Sequence, residues 1–407
     1  MQKIDQNELN NNIIGEKTKN NTLHARKLAD QSTRSACKNC RLAFYIGSLC
    51  QGGAERVFLN LAEYFLEQGY QVVMVTQYRR EDEYELPDRI ERVLSDITPQ
   101  ETTKSRVVNF WRRMRKLRGI WKKEQPDLVL SCVGKNNFMT IVTTMFTNTR
   151  PIVSVVGEAK EEYPNVLMKM LANLLFPMAT GVILQTERSR SFFSKKVGRQ
   201  AVVLPNSLNP HFLRPRYEGE RDKQIVSVGR LDANKNHEMM IRAFARLMEK
   251  YPEYTLTIYG EGELHAKLLA IAKTLNAEKR VFLPGAISDV AEKIEKASLF
   301  LLTSYSEGVS NALIEAMALG LPVIATDVPS GGTVELIEHG KNGWIIPAGD
   351  EEALTEAMDR ILSDAALSEE LGKQAHKIQE RLAPEHVNKL WQAYFGKCIE
   401  RHGKCEK

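Results

Sequence analysis

The sequence predicts an α/β protein built from two doubly wound domains that face each other across a cleft. Three observations lead there. The chain has 407 residues, too many for one ordinary core and suited to two. Short β-branched or apolar runs alternate with helical periodicities, which implies parallel strands joined by right-handed crossovers. That alternation pauses over residues 205–222, a stretch rich in proline and charge, and then restarts.

The first set of elements opens with a strand over residues 42–47. Gly52-Gly53 and a helical period at Val57, Leu59, Leu61, Tyr64 and Phe65 follow. Further strands are expected over 72–76, 127–132, 152–156, 181–184 and 201–204, with helical patterns between most of them. The second set places strands over 224–229, 255–259, 280–283, 299–303 and 322–326. Helices are expected over 237–251, 263–275, 289–297 and 311–319. The chain then divides into an N-terminal extension (1–41), a first domain (42–206), a connection (207–222) and a second domain (223–383). A C-terminal helix (384–407) packs back on the first domain.

Composition narrows the class. Charged residues at 26% and hydrophobics at 43% describe a soluble globular protein. Residues 1–41 are polar and asparagine-rich with no apolar signal core, which predicts a disordered extension, not a cleaved secretion signal. No apolar run reaches the roughly 18 residues a spanning helix needs. The nearest, 166–181, is short and carries Lys169. Six cysteines include one C-x2-C, Cys37 and Cys40, with no second pair, so free thiols in a reducing cytosol are expected over a zinc site.

Charge is unevenly placed. Residues 1–216 hold 33 Lys/Arg against 21 Asp/Glu, or +12; residues 217–407 hold 23 against 30, or −7. The front half is therefore expected to face something anionic. Its densest patch, 109–123, interleaves Arg112, Arg113, Arg115, Lys116, Arg118, Lys122 and Lys123 with Phe110, Trp111, Met114, Leu117, Ile120 and Trp121. Such a helix can lie in an anionic membrane interface, or it can pack in the core and leave a solvated basic face. Nucleic acid is not expected, because no recognition motif accompanies the charge.

The chemistry gathers at expected strand ends, where ligands of doubly wound sheets bind. Glu307 and Glu315 lie eight positions apart at a helix start, and Glu315 sits among apolar neighbours where burial is costly without a polar partner. Arg230 and Lys235 follow the first strand of the second set and make a clamp for a diphosphate, arginine as a fork and lysine as a point charge. Gly260 and Gly262 follow the next strand and would let a nucleotide approach the backbone, or only make a tight turn. Gly52 and Gly53 expose backbone amides at a helix N-terminus, a ready anion site or a plain turn. No D-x-D and no histidine cluster offers a divalent-metal site, so protein cations would neutralise the phosphates.

Taken in order, Gly52-Gly53-Ala54-Glu55, Asn206, Gly229-Arg230 with Lys235, Gly260-x-Gly262, Glu307 to Glu315 and the following Gly-Leu-Pro-Val-Ile-Ala-Thr-Asp resemble family-4 glycosyltransferases. These are retaining, sugar-nucleotide-dependent enzymes of the GT-B fold, two Rossmann-like domains across a cleft. The match runs from about residue 42 to the C-terminus. Pro329-Ser330-Gly331-Gly332 looks like the subgroup that builds bacterial surface glycans on polyprenyl-linked acceptors. The resemblance implies that Arg230 and Lys235 hold the donor diphosphate, Glu307 orients the donor sugar and Glu315 takes the ribose hydroxyls. Backbone amides at Val309, Ser310, Asn311, Gly52 and Gly53 would cap phosphates, and the base would lie near 285–287. It further implies a nucleotide-sugar donor (UDP favoured), a glycan or lipid-linked acceptor, no cofactor or metal, and a site of action at the cytoplasmic face of a membrane.

Two departures from the family pattern stand out. No histidine occurs between His24 and His211, although relatives carry one after the strand at 127–132 or 152–156. Its assistance would be absent or pass to Glu158 or Lys160. Val309 also stands where an aromatic is usual. The missing histidine raises a second reading, a catalytically silent sugar-nucleotide-binding subunit that supports a partner transferase.

Overall fold

The computed structural model describes residues 40–50 and 52–400. The expected disorder of the N-terminal extension and the role of Cys37 fall outside those residues. The first sheet comprises β1 (Arg41–Ile46), β2 (Gln71–Thr76), β3 (Glu91–Leu94), β4 (Leu128–Cys132), β5 (Arg150–Val155), β6 (Gly181–Leu184) and β7 (Ala201–Val203). Their order is β3-β2-β1-β4-β5-β6-β7, and every pairing is parallel. Fully buried strands such as Leu128–Cys132 read as continuous apolar runs because helices cover both sheet faces.

The helices of this domain are α1 (Gly53–Glu67), α2 (Arg106–Glu124), α3 (Lys135–Thr144), α4 (Ala159–Glu162), α5 (Val166–Leu175) and α6 (Lys195–Gln200). Strand order steps leftward from β1 to β3 and rightward from β4 to β7. Right-handed crossovers therefore set α1 on one face and α2, α3 and α5 on the other. Their contacts agree: α2 packs on α3, and α3 on α5.

The second sheet is also parallel, in the order β10-β9-β8-β11-β12-β13. Its strands are β8 (Asp222–Val228), β9 (Thr255–Tyr259), β10 (Val281–Gly285), β11 (Ala297–Leu302), β12 (Val323–Asp327) and β13 (Trp344–Pro347). Its helices are α7 (His237–Leu247), α8 (His265–Thr274), α9 (Val290–Ile294), α10 (Asn311–Ala318), α11 (Glu351–Ser363), α12 (Ala365–His376) and α13 (Ile378–Arg381).

β3 and β13 were not expected. Both are four-residue edge strands, one half-charged (ERVL) and the other closed by proline, so neither presents a buried apolar run. The helix expected over 289–297 is shorter, because Ala297 already belongs to β11. The helix expected over 237–251 stops at Leu247.

The connection between the sheets is strapped down. Arg214 pairs with Glu292 at 2.9 Å and Glu295 at 3.2 Å. Gln379 Nε2 donates to the carbonyls of Phe212 and Arg214. Leu208 N–H meets Leu382 O at 2.9 Å, tying the two crossings of the chain together. Beyond the second crossing, α14 (Pro384–Glu400) lies on α1 of the first domain. Phe395 stacks on Phe65 with ring centroids 4.9 Å apart, and Tyr64 donates to Gln392 at 2.9 Å.

Candidate active site at the interdomain cleft

The loops that leave β8 and β11 are zipped together. Asn234 Nδ2 donates to Ser306 O at 2.7 Å, Tyr305 N to Asn234 O at 2.8 Å, and Thr303 Oγ1 to Lys235 O at 2.9 Å. This brings Lys235 and Glu307 into contact: Nζ donates to Oε1 at 2.5 Å, and Ser304 Oγ donates to the same oxygen at 2.6 Å. Their side chains are only 14% and 13% exposed, so the pair is largely withdrawn from water. Arg230 is different. Its side chain is 76% exposed and holds Asp232 loosely at 3.2 Å, leaving the guanidinium at the open edge of the cleft.

Gly260 and Gly262 have a steric reason within the protein. Their φ values are +146° and +159°, and a Cβ would lie 1.9 Å from Gly229 O and 2.4 Å from Leu231 O. Only glycine lets the β9 loop run this close beside the Arg230 loop. Gly285, expected near the base, closes the same edge by accepting Gly260 N–H at 2.9 Å.

The segment from Gly308 to Asn311 meets the first domain directly. Val309 N–H donates to Gln185 Oε1 at 3.1 Å, and Gln185 Nε2 donates to Asn206 Oδ1 at 2.7 Å. Asn206 Nδ2 in turn donates to Asn311 Oδ1 at 3.1 Å, and Asn311 Nδ2 reaches Gly53 O at 3.4 Å. Ser310 caps α10 through Leu313 N–H. One of the amides expected to cap a phosphate, Val309, is thus held by Gln185 in this closed arrangement. Gln185, on no recognised motif, could have been suspected only as a polar residue ending an apolar strand.

Gly52 is the N-cap of α1 and makes no side-chain capping bond. The Glu55 carboxylate folds back over it, 2.2 Å from where a Cβ at position 52 would lie. Burial raises the Glu55 pKa, while its own amide and the Arg230 charge pull it back. The anion at this helix start is therefore a side chain of the protein, and it faces the clamp arginine. The loop is braced from below by the buried pair Arg92–Glu83 at 2.6 Å, with Glu83 also accepting Leu49 N–H at 3.2 Å. Unexpected β3 supplies that arginine.

Glu315 lines a small space on α10 together with Arg56, Asn60 and residues 207–209. The space there is about 10 Å³, room for one water at most. Among the described residues no side chain or amide hydrogen-bonds to this carboxylate. Desolvation pushes its pKa up to about 7, with Arg56 alone pulling it back. The nook must widen before a ligand can reach this carboxylate, and a ligand that brings hydroxyl donors would then be favoured.

The loops after β4 and β5, where a histidine is usual, are joined by an acid. Glu162 accepts Val156 N–H at 2.9 Å, Gly157 N–H at 2.8 Å and Gly134 N–H at 3.0 Å. Burial raises its pKa and the three amides oppose that rise. Of the expected substitutes for histidine, Lys160 is exposed, whereas Glu158 keeps one buried oxygen unpartnered among the described residues. Sequence pointed to Glu158 and Lys160 and passed over Glu162, whose three partners are all backbone. Glu162→Ala should strand three amides and lower stability by at least about 3 kcal/mol, at the customary 1–3 kcal/mol for each buried group left unsatisfied. Thermal unfolding indistinguishable from wild type would remove this clasp from the architecture.

Comparison with known proteins fits this geometry. Residues 51–212 match the profile described as Glycosyltransferase Family 4, and residues 213–378 that of Glycosyl transferases group 1. The chain belongs to the family-4 glycosyltransferases. An uncharacterised glycosyltransferase of Haemophilus influenzae is 25% identical, covering 86% of this chain and 98% of its own. A Campylobacter jejuni N-acetylgalactosamine-N,N'-diacetylbacillosaminyl-diphospho-undecaprenol 4-alpha-N-acetylgalactosaminyltransferase is 28% identical, over 80% and 91%. The fold is that of GT-B structures. HepE of Anabaena, solved with UDP, superposes with a TM-score of 0.74 at 17% identity, covering 88% of this chain and all of that one. Sucrose-phosphate synthase of Thermosynechococcus elongatus gives 0.76 at 19% identity, over 90% and 100%.

Proposed function

We propose that this protein is a retaining glycosyltransferase that moves a sugar from a UDP-sugar to a polyprenyl-linked or glycan acceptor in cell-surface polysaccharide synthesis. It would work at the inner face of the cell membrane without a metal or cofactor. The observation that carries the reading is the exposed Arg230 and buried Lys235–Glu307 pair on the loops leaving β8 and β11, followed eight positions on by an uncompensated Glu315 between α10 and the first domain. Each end matches one part of a nucleotide-sugar: diphosphate, sugar and ribose. The relative from Campylobacter, named for an undecaprenol-linked acceptor, and the UDP in the HepE structure support the two substrate classes.

In the reaction, the leaving diphosphate gathers charge as the glycosidic bond breaks. Arg230 swings in from solvent, and Lys235 is shared between Glu307 and phosphate. Cations gathered on the diphosphate in a cleft of low dielectric would stabilise that charge without a proton donor. The acceptor attacks from the same face, its proton passing to the leaving phosphate oxygen, while Glu307 holds the sugar hydroxyls.

Incubation with radiolabelled UDP-sugars, with and without acceptor, tests this reading. Slow release of free sugar without acceptor, and transfer to a polyprenyl-diphosphate glycan, are expected. Thermal stabilisation by a UDP-sugar with no release or transfer would instead establish the silent binding subunit.

A further inference from the structure

We propose that one face of α5, flanked by the cations of α2 and α6, docks the first domain on an anionic lipid bilayer. The inference rests on the lipid-linked acceptor reading and names the surface that would meet it. Val166, Leu167, Met170 and Leu174, with Met178 in the turn that follows, are 76%, 66%, 64%, 67% and 49% exposed. At about 100° per residue these positions fall within roughly a third of the helix circumference. Within α5 only Ala172 is fully buried. Lys169 is the only charge between Glu162 and Glu187. A helix facing water turns its polar side outward; this one turns its apolar side outward.

Two neighbours extend the patch. Phe146, in the turn after α3, is 94% exposed, and α3 packs on α5. Phe110 and Trp111 are exposed near the start of α2. Trp121 is not part of any outer stripe: it is buried, and its Nε1 donates to Thr143 Oγ1 at 2.8 Å. The basic helix, for which sequence left an interface and a core-packed reading open, turns Met114, Leu117, Ile120 and Trp121 inward and offers only its first turns and its charged edge. Arg113 pairs with Asp96, and Arg118 donates to the carbonyls of Thr143 and Met145, so part of its charge is spent within the fold.

Charge decides the occupant. Arg106, Arg112 and Arg115 of α2 are exposed on one side of α5. Lys195, Lys196 and Arg199 of α6 are exposed on the other, where α6 packs on the turn 176–178. Pairing with a second copy through this face would bring like charges together. An anionic leaflet meets both flanks, each Lys or Arg adding on the order of 1 kcal/mol. Because α2 and α5 begin at the carboxyl edge of the sheet, the docked surface runs up to the cleft, where a lipid-linked acceptor would enter.

Flotation of the full-length chain with phosphatidylglycerol–phosphatidylethanolamine vesicles, against phosphatidylcholine vesicles, tests the proposal. Wild type should float with the anionic vesicles. Leu167→Glu with Leu174→Glu should lower its partition by at least about tenfold per leucine, the scale of burying one such side chain. Unfolding temperature and UDP-sugar hydrolysis should not change. Arg106→Glu with Arg115→Glu should weaken binding and reduce its salt dependence, since exposed charges are screened beyond a Debye length of about 8 Å. Wild-type partition by the leucine variant, or no flotation of wild type, overturns the proposal. So does a concentration-dependent dimer that the leucine variant lacks, because it would make a second copy the occupant. Sugar transfer to a water-soluble acceptor without flotation leaves the transferase reading standing. Flotation without any UDP-sugar turnover leaves the docking surface standing.

Discussion

Lys235→Ala should lower turnover by about 10²-fold or more, the scale for losing one preorganised transition-state charge, and should also destabilise the free protein. Both effects come from one contact. Lys235 Nζ lies 2.5 Å from Glu307 Oε1 with little of either side chain in water. Removing the lysine leaves a nearly buried carboxylate with only Ser304 Oγ as donor, at 2.6 Å. Breaking a fully buried pair costs about 3–5 kcal/mol; with the serine retained, about 2 kcal/mol is expected. A position on a loop ordinarily suggests that folding tolerates the change, and Arg230 fits that rule. Its exposed guanidinium should be removable within about 0.5 kcal/mol, yet with a comparable loss of turnover. Lys235→Ala combined with Glu307→Gln should regain stability without regaining rate. Single-turnover transfer and denaturant unfolding of the three variants separate these outcomes. Near-normal turnover in Arg230→Ala or Lys235→Ala would take the clamp out of the reaction.

The sequence made the two sheets legible because their central strands are buried on both faces and so read as apolar runs. β3 and β13, four-residue edge strands that are half-charged or closed by proline, carry no such signal, which is why they were missed. Arg230, Lys235 and Glu307 were equally legible, since they stand on loops at strand ends where chain direction alone places them, and Glu315 follows one turn into α10. What spacing could not reveal was pairing across it. That Lys235 neutralises Glu307, that Gln185 holds the Val309 amide, and that Glu55 covers the start of α1 all depend on loops folding over one another. The outward apolar face of α5 was hidden for a related reason. A short helix apolar nearly all round is ordinarily a core helix, and only tertiary structure shows which face remains uncovered. In α2 the sequence left an interface helix and a core-packed one both open, and only the fold shows that the sheet takes Trp121.

Donor affinity should fall as pH drops below about 7, and Glu315→Gln should abolish that dependence while raising the donor KM. The Glu315 carboxyl is pushed up from an ordinary 4.5 to about 7 by desolvation between α10 and the first domain. Between those two values the native chain holds a proton that the unfolded chain has released. Stability of the free protein therefore falls as pH rises through this window and levels off above it. Glu315→Gln removes that loss, so the free variant should match wild type near pH 4 and exceed it at pH 8 by up to about 3 kcal/mol. Ribose hydroxyls donating to Glu315 favour the ionised form. Binding must then expel the proton, which below about 7 weakens affinity by up to tenfold per pH unit. Turnover should change little, because ribose contacts persist from ground state to transition state. Glu307→Gln should show the reverse pattern, a depressed kcat with a nearly unchanged KM, since it acts on the reacting sugar. Steady-state kinetics of both variants between pH 5.5 and 8.5 decide the matter, over a range chosen to bracket the raised value with about 1.5 units on either side. A pH-independent KM in wild type, or the same kinetic pattern in both variants, would remove Glu315 from the ribose site.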